Sequence, residues 1–272
     1  MVNFTARGLM PPVFTPLNDD HTINYGVIPA YAKFLADSGI KSVLVGGTTG
    51  EHMSLSVADR KKVVDAWVVA AKTTGLHIQV QVGGAPLADV TELAAPKLPV
   101  LYYHIPIMSK VEINMPAFVT AATASIPNFK GIKFTSNDLS EGAQVLRALK
   151  DGQEMFLGAD TLIAPAALLG IKSSIGTSFN LFPKLAQEIL EAVEKNDVAK
   201  ARALQEKLSL AIEAHTVEEA SINRGPWVPI MKAGMEIVTG IKVGPPSLPQ
   251  KPLSSEAKQR IHSKLRTLGL SK

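Results

Sequence analysis

Hydrophobic residues follow two alternating patterns along most of this chain. Short runs rich in Val, Ile, Leu and aromatic residues alternate with longer segments in which apolar residues recur at helical spacing. The first pattern is typical of strands that are covered on both faces, and the second is typical of amphipathic helices. Strands that alternate with helices indicate parallel βαβ units, so we expect an α/β fold.

Seven segments are predicted to be strands. They begin near Leu9, Lys41, His77, Val100, Phe129, Met155 and Ser173. Capping signals mark the helices between them: Ser56 with Asp59 forms a capping box, Asn114 with Pro116 begins another helix, and Gly75 follows a helix end. After about residue 181 only helices are predicted, at residues 182–196, 198–215, 224–238 and 254–268. The last three read as a helical appendage to the strand and helix series.

Composition narrows the functional classes. The chain has 272 residues, of which 46% are hydrophobic, and its formal charge is +4. Its basic residues are scattered apart from one short cluster, residues 60–62, so we expect no nucleic-acid partner. Without cysteine there is neither a disulfide framework nor thiol chemistry. The sequence shows no signal-like start and no long apolar run, from which we expect a cytoplasmic protein without a membrane partner.

One predicted strand, residues 129–135, contains a lysine. Alternation sends Ile132 and Phe134 to one face, and Gly131 and Lys133 to the other. In a strand covered on both faces, burial disfavours the charged ammonium, and a neutral amine can attack a ketone to form a Schiff base. A lysine at a strand end can instead extend to solvent, so spacing alone leaves both interpretations open.

The loops that follow the strands carry further polar groups, which in parallel α/β folds lie where ligands bind. The loop from Gly46 to Glu51 combines glycines with two threonines, which suits an anion but also an ordinary turn. Tyr103 ends a strand and is either an acid and base or a core residue, and His104 fits a structural role better than a catalytic one. Asp160 is either a polar group of the site or a helix N-cap.

Five short motifs occur in a fixed order: Gly-Thr-Thr-Gly-Glu, Tyr-His-Ile-Pro, Gly-Ile-Lys, Gly-Ala-Asp and Ile-Gly-Thr. Over nearly the whole chain they resemble the pyruvate-dependent class I aldolases, the family that contains the N-acetylneuraminate lyases and the dihydrodipicolinate synthases. The resemblance implies a TIM (β/α)8-type barrel at residues 1–196 and a C-terminal helical extension packed on it at 197–272. It also implies that no metal or other cofactor is needed, and that the protein is a homo-oligomer, a tetramer, acting on pyruvate and a keto-sugar acid.

The resemblance assigns site residues one by one. It implies that Lys133 is the Schiff-base lysine and that Tyr103 donates and accepts protons. Thr48 and Thr49 match the pair that holds the pyruvyl carboxylate. The positions that match contacts to the sugar chain are Thr135, Gly158, Asp160 and Thr177, together with Thr161, where the lyases resemble one another in having a glutamate.

Met108 favours the lyase branch of this family. The dihydrodipicolinate branch has an arginine at this position, and its guanidinium binds a second carboxylate. An apolar side chain cannot replace that guanidinium. The stretches 102–106 and 244–246 look like the animal-type lyases. The resemblance therefore implies retro-aldol cleavage of N-acetylneuraminate to N-acetylmannosamine and pyruvate. Two alternatives are another pyruvate-dependent 2-keto acid aldolase and an inactive, shortened isoform that acts only as a binding or subunit partner.

The interval between His77 and Val100 is short for a barrel of eight units. It contains one predicted helix, residues 86–95, and the strand at Val100 resembles the fifth strand of the family. We therefore predict that one βα unit, a strand with its loop and helix, is missing. Its loss should leave either two unpaired strand edges or a tighter barrel with a changed strand tilt.

Overall fold

The computed structural model describes residues 4–94, 97–215 and 227–271, which fall into two compact units. The first unit contains the described residues 4–10, 97–176 and 186–205. The second unit contains residues 11–94, 177–185, 206–215 and 227–271. This is a division by compactness, and the predicted division into a barrel at 1–196 and an extension at 197–272 stays a prediction.

Strands and helices alternate along the chain as the hydrophobic pattern predicts. The strands are β1 Ser42–Val45, β2 His77–Val80, β3 Val100–His104, β4 Phe129–Phe134, β5 Glu154–Leu157 and β6 Ser173–Ser174. The helices are α1 Ile28–Asp37, α2 Val57–Thr74, α3 Leu87–Leu93, α4 Pro106–Ser109, α5 Met115–Ser125, α6 Leu139–Ala148, α7 Ile163–Leu168, α8 Pro183–Glu194, α9 Val198–Ala214, α10 Trp227–Thr239 and α11 Ser255–Thr267.

The sheet of the first unit has four parallel strands in the order β3, β4, β5, β6. Strand β4 lies inside this sheet and is paired on both sides. Ile132 and Phe134 of β4 join an apolar core with Met115, Val119 and Met155, which lie on α5 and β5. The predicted alternation along β4 is therefore confirmed, and Lys133 points away from this core layer.

The second unit contains the parallel pair β1 and β2 together with the long helix α2. The predicted capping box of α2 is confirmed: the Asp59 amide donates to Oγ of Ser56 at 3.1 Å, and that hydroxyl donates to the Asp59 carboxylate at 2.7 Å. Gly75 ends α2 in the left-handed conformation at a φ of 70°. Trp67 of α2 packs edge-on against Tyr31 of α1 with ring centroids 5.3 Å apart, and both side chains are fully buried.

The first predicted strand is present only as isolated bridges. Leu9 bridges Ser174 within the first unit, and Pro12 bridges Leu44 within the second. Pro11 and Pro12 have no amide hydrogen, so this segment cannot form a continuous ladder. The other six predicted strands are confirmed.

The helical C-terminal region also follows the prediction, since α8, α9 and α11 begin and end within two residues of the predicted bounds. The helix predicted from residue 224 is observed from Trp227, and its predicted start lies outside the described residues. The predicted end of the helix at 86–95 also lies outside them. In the described ranges, no helix is both long and apolar enough to cross a membrane.

Two strands are paired on one side only. In the described part of the chain β2 pairs only with β1, and β3 pairs only with β4. Val80 of β2 is 39% exposed and Val100 of β3 is 42% exposed, which is unusual for apolar residues of parallel strands. These are the two strands that flank the predicted missing unit, and the observed edges agree with the first of the two predicted outcomes.

Candidate active site

Lys133 lies between two paired strands at the middle of the first-unit sheet. The register of β4 places it opposite Tyr103 of β3 and Phe156 of β5. Its side chain is buried, with 8% of the residue surface exposed. Gly131 precedes it with a φ of 131°, and any Cβ at that position would overlap the backbone of Glu154. Only glycine allows β4 and β5 to approach so closely beside the lysine.

Tyr103 is in direct contact with this lysine. The Nζ atom of Lys133 lies 4.1 Å from the centroid of the Tyr103 ring, which is cation-π geometry. No carboxylate in the described residues forms an ion pair with Lys133, and its amine makes no hydrogen bond there. The structure therefore brings together the two residues predicted to be catalytic, and it leaves the amine without a counter-ion.

His104 has the surroundings of a structural histidine. The residue is 3% exposed, its ring stacks on Phe134 with centroids 5.3 Å apart, and burial lowers its pKa. Its carbonyl accepts a hydrogen bond from the Thr135 amide at 2.8 Å, which continues the pairing of β3 and β4 beyond their ends. These contacts agree with the interpretation that His104 packs rather than reacts.

Thr135 and Gly158 lie against each other at the carboxyl ends of β4 and β5. The Gly158 amide donates to the carbonyl of Phe134 at 2.7 Å, and any Cβ at position 158 would overlap the Thr135 side chain. The Thr135 hydroxyl is buried and has no hydrogen-bond partner among the described residues. A buried hydroxyl without a partner is costly, so this oxygen is suited to a ligand.

Asp160 and Thr161 follow in a short 3-10 turn, Asp160–Leu162. Asp160 is not the cap of α7, whose N-cap residue is Leu162, so the alternative interpretation as a helix cap is wrong. The turn is fixed by Gln205, which donates to the Asp160 carbonyl at 3.2 Å and accepts from the Ala164 amide at 2.9 Å. Thr161 is exposed and shares this turn with Asp160.

Three predicted site threonines belong to the second unit. Thr48 and Thr49 lie in the segment Gly46–Glu51 after β1, which we call the threonine loop. The hydroxyls of Thr49 and Thr177 are 2.8 Å apart, although these residues are separated by 128 positions. The Glu51 amide donates to the Thr48 carbonyl at 3.0 Å, so the loop folds back on itself. The structure thus brings Thr177 to the loop of Thr48 and Thr49.

Asn180 supports Thr177, and sequence reasoning missed it. Its amide nitrogen donates to the Thr177 carbonyl at 3.0 Å and to the Pro12 carbonyl at 2.8 Å, and its oxygen accepts from the Tyr31 hydroxyl at 2.6 Å. Burial raises the pKa of that tyrosine. The signal was available, because an asparagine within an apolar run must satisfy its amide inside the protein.

A buried ion pair, Glu51 with Lys232, was also missed. One carboxylate oxygen of Glu51 lies 2.6 Å from Nζ of Lys232, and each side chain is 2% exposed. Burial lowers the pKa of Lys232, and the charge of Glu51 opposes this shift. The signal was a lysine inside the apolar helix α10, the same signal that identified Lys133 in its strand.

Comparison with known proteins identifies the family of this chain. The family model described as the dihydrodipicolinate synthetase family matches residues 5–96 and 90–268. The chain belongs to the dihydrodipicolinate synthetase family. An N-acetylneuraminate lyase from Pongo abelii is 30% identical over 305 residues, covering 96% of this chain and 92% of that protein. The family predicted from the five ordered motifs is therefore confirmed.

Solved structures of similar proteins agree. The Proteus mirabilis N-acetylneuraminate lyase matches with a TM-score of 0.88 and 29% identity over 97% of this chain and 99% of that one. The lyase from Aliivibrio salmonicida, also titled a sialic acid aldolase, matches with a TM-score of 0.86 and 28% identity over 98% of both chains. The predicted fold class, the TIM-type β/α barrel of the dihydrodipicolinate synthetase family, is confirmed.

The family match also bears on the predicted missing unit. It comes in two pieces that meet at residues 90–96, within the interval where one βα unit is predicted to be absent. The alignment with the Pongo abelii lyase extends over 305 positions, more than the 272 residues of this chain. The dihydrodipicolinate synthetase fold is thus represented here with positions left out, which agrees with a shortened barrel.

Proposed function

We propose that this protein is a class I aldolase that cleaves N-acetylneuraminate to N-acetylmannosamine and pyruvate, with Lys133 as its nucleophile. The observation that carries the proposal is the pair of Lys133 and Tyr103: a buried amine without a counter-ion, in contact with a phenol ring. The relatives of similar length that carry the name N-acetylneuraminate lyase support the choice of substrate.

In the proposed reaction, the neutral amine of Lys133 attacks the C2 ketone of the open-chain sugar acid, and loss of water gives an imine. Protonation of this imine makes it an electron acceptor. When Tyr103, assisted by the substrate carboxylate, removes the proton of the C4 hydroxyl, the bond between C3 and C4 breaks and N-acetylmannosamine leaves. The electron pair remains as an enamine, which is protonated at C3 and hydrolysed to pyruvate.

We infer the remaining roles from the family resemblance and from local geometry. The amides and hydroxyls of Thr48 and Thr49 would bind the carboxylate, which fixes C2 for attack. The unpartnered hydroxyl of Thr135, with Gly158, is suited to a hydroxyl of the sugar chain. The remaining proposed sugar contacts are Asp160, Thr161 and Thr177. Of these Thr161 is the weakest, because it is a threonine in place of a glutamate and is exposed.

The decisive experiment is borohydride trapping of pyruvate on the purified protein, followed by intact mass and peptide mapping. The expected result is one adduct, on Lys133. Lys133→Arg should abolish it, because a guanidinium does not lose its proton to become a nucleophile. Lys130→Arg, on the same strand, is the matched control and should keep the adduct. An adduct that persists in Lys133→Arg and maps to another lysine overturns the proposal.

Release of N-acetylmannosamine from N-acetylneuraminate then separates this activity from those of other 2-keto acid aldolases. Trapping of pyruvate without this release would favour another substrate of the same chemistry. Absence of both would favour the inactive, shortened form. Assembly as a homotetramer is also part of the proposal and rests on the family resemblance; light scattering on the purified protein tests it. The cytoplasmic location rests on the sequence pattern, and imaging of a tagged chain tests it.

A further inference from the structure

The threonine loop is tied at its end by the buried ion pair of Glu51 and Lys232. Glu51 has a φ of 56°, a left-handed conformation that is uncommon for a residue other than glycine. Its carboxylate turns inward, where one oxygen lies 2.6 Å from Nζ of Lys232 and the other accepts from the Ser247 amide at 2.6 Å. The residue that ends the loop is thus held by partners from two distant parts of the second unit.

Lys232 connects the loop to two further segments. Besides its ion pair with Glu51, its Nζ donates hydrogen bonds to the carbonyls of Thr15 at 3.0 Å and Pro245 at 2.8 Å. Thr15 in turn donates its hydroxyl to the Gly50 carbonyl at 2.7 Å. The ammonium is therefore linked to the threonine loop by two sets of contacts, one through the Glu51 carboxylate and one through Thr15.

The loop itself leaves little freedom between these anchors. The Gly50 amide donates to the Gly47 carbonyl and the Glu51 amide to the Thr48 carbonyl, both at 3.0 Å. A Cβ on Gly50 would meet the Val13 carbonyl at 3.0 Å, so the backbone there is packed closely. Thr48 and Thr49 lie between these fixed points, and a shift of Glu51 would move their amides and hydroxyls.

We propose that Glu51 and Lys232 are positioning residues: their buried ion pair sets the threonine loop so that Thr48 and Thr49 bind the carboxylate of the substrate. This inference rests on the proposed function. An ion pair is a poor choice for stability alone, since well-packed apolar residues often stabilise a core equally well, whereas its directional contacts fix the backbone of a loop. The pair touches no reacting atom and acts through the loop.

The test compares binding of two ketones. Pyruvate and pyruvamide have the same ketone, but only pyruvate has the negative charge that the loop is proposed to hold. For each variant, borohydride trapping at Lys133 is measured against ketone concentration, and the ratio of the two half-saturating concentrations reports the preference for the carboxylate. A general loss of stability lowers the amount of folded protein and leaves this ratio unchanged.

Lys232→Met should raise the half-saturating pyruvate concentration by about tenfold to a hundredfold, with a much smaller change for pyruvamide, because misplacement of the loop affects carboxylate binding most. Glu51→Gln removes the negative charge that faces Lys232, and its single amide oxygen cannot accept from both Ser247 and Lys232, so we expect a change in the same direction as in Lys232→Met. Leu265→Ala is the matched control: it truncates a fully buried residue of α11 in the same unit, and it should keep the ratio.

The outcomes separate two failures. If the unmodified protein forms no pyruvate adduct on Lys133, the proposed function is wrong. If it forms the adduct and Lys232→Met keeps the preference for pyruvate, or if Leu265→Ala loses it equally, the positioning role is overturned while the proposed function stands. Should Lys232→Met fail to fold, the double variant Glu51→Gln/Lys232→Met carries no unpaired buried charge, and the same criterion is applied to it.

Discussion

Two buried lysines of the described chain have opposite surroundings, and this difference supports different roles for them. Lys232 forms an ion pair with one carboxylate and donates hydrogen bonds to two carbonyls. Lys133 has an aromatic ring beside it and neither a hydrogen bond nor an ion pair within the described residues. A nucleophile must be able to lose its proton and present a lone pair. The surroundings of Lys133 in the described residues support its proposed role as the nucleophile, whereas Lys232 is held in place by its carboxylate and carbonyl contacts.

Replacing the phenol beside Lys133 tests the proposed proton transfer. In Tyr103→Phe the ring that lies 4.1 Å from Nζ is kept, so we expect unchanged folding and an unchanged capacity to form the imine with pyruvate. Cleavage of the carbon-carbon bond should slow by about 10² to 10⁴, the range for loss of a positioned acid or base. The measurement is single-turnover release of N-acetylmannosamine.

Tyr102→Phe is the control for that variant. Tyr102 is the preceding residue of β3 and packs against Phe118 with centroids 4.4 Å apart, so it belongs to the core side of the strand. Its loss of a hydroxyl should leave the rate within a few fold of the original. An unchanged cleavage rate in Tyr103→Phe, in a preparation that is active, would remove this residue from the mechanism.

The burial of His215 should make the free energy of unfolding depend on pH. It is 1% exposed, its Nδ1 lies 2.6 Å from the Ala211 carbonyl, and burial lowers its pKa from 6.5 to about 4. The unfolded chain therefore binds this proton more readily than the folded one. Its contribution to stability is complete above pH 6.5 and is lost as the pH falls toward 4, with a slope of up to about 1.4 kcal/mol per pH unit.

The matching variant is His215→Asn, whose amide can still donate to the Ala211 carbonyl but does not titrate. Urea unfolding between pH 4 and 6.5 should show a free energy of unfolding that falls less steeply in the variant than in the original protein. The two proteins are compared at pH 7 to correct for any change in packing. Equal slopes below pH 6.5 would show that this histidine does not cause the acid sensitivity.

At the scale of elements, local patterns carried most of the strand and helix assignments. Six strands and the caps of α2 and α5 follow from alternation, branched residues and short-range hydrogen bonds that neighbouring residues determine. The exception, residues 9–14, is apolar enough for a strand but has two prolines that interrupt its ladder. Sequence patterns thus predict well which segments are extended. They predict less well whether the backbone of such a segment pairs with a neighbouring strand.

Some features of the candidate site could also be predicted from local sequence patterns, and others could not. Lys133 and Tyr103 stood out because each is a polar residue in an apolar strand, and their contact follows from the parallel register of β3 and β4. The pair of Glu51 and Lys232 joins the loop after β1 to α10, and the bond from Ser247 to Glu51 spans 196 positions. No local rule gives such a partnership, because it is created by tertiary packing.

The open edge of β2 gives a prediction for this element. The amides of His77 and Gln81 donate to the carbonyls of Lys41 and Val45 at the side of β1. Successive amides of an extended strand point to alternate sides. The amides of Ile78 and Val80 therefore point away from β1, toward an edge without a strand partner in the described residues. Both should exchange with solvent deuterium much faster than the amide of Ile132, which lies in the doubly paired β4.

Hydrogen exchange read by NMR gives the answer residue by residue. The amide of Gln79, which alternation directs toward β1, is the control within the same strand and should be slower than those of Ile78 and Val80. Equally slow exchange at all three positions would mean that another part of the chain covers this edge. The prediction would then be wrong, and the shortened barrel would be better closed than its strand pairing indicates.

At the scale of the whole molecule, the predicted absence of one βα unit should lower the stability. A barrel normally removes every strand edge, whereas β2 and β3 each keep one unpaired edge in the described ranges of this chain. A neighbouring strand would bury apolar residues such as Val80 and pair the open backbone groups, and without it this stabilisation is lost. The free energy of unfolding of a domain is only about 5 to 15 kcal/mol in total, so the loss is significant. The same edges are sites for association with other chains, so we expect lower solubility than in relatives of full length.

Restoring the unit tests this directly. A designed strand, loop and helix of the size of one βα unit would be inserted after Ala94, and a glycine and serine linker of equal length serves as the control. Pairing of the added strand with the free edge of β2 should raise the free energy of unfolding in urea by about 2 to 5 kcal/mol, because it satisfies backbone groups and covers Val80. The exchange of the Ile78 and Val80 amides should slow in the same variant and stay fast with the linker. If the inserted unit stabilises the protein no more than the linker does, the loss of a βα unit is not what limits its stability.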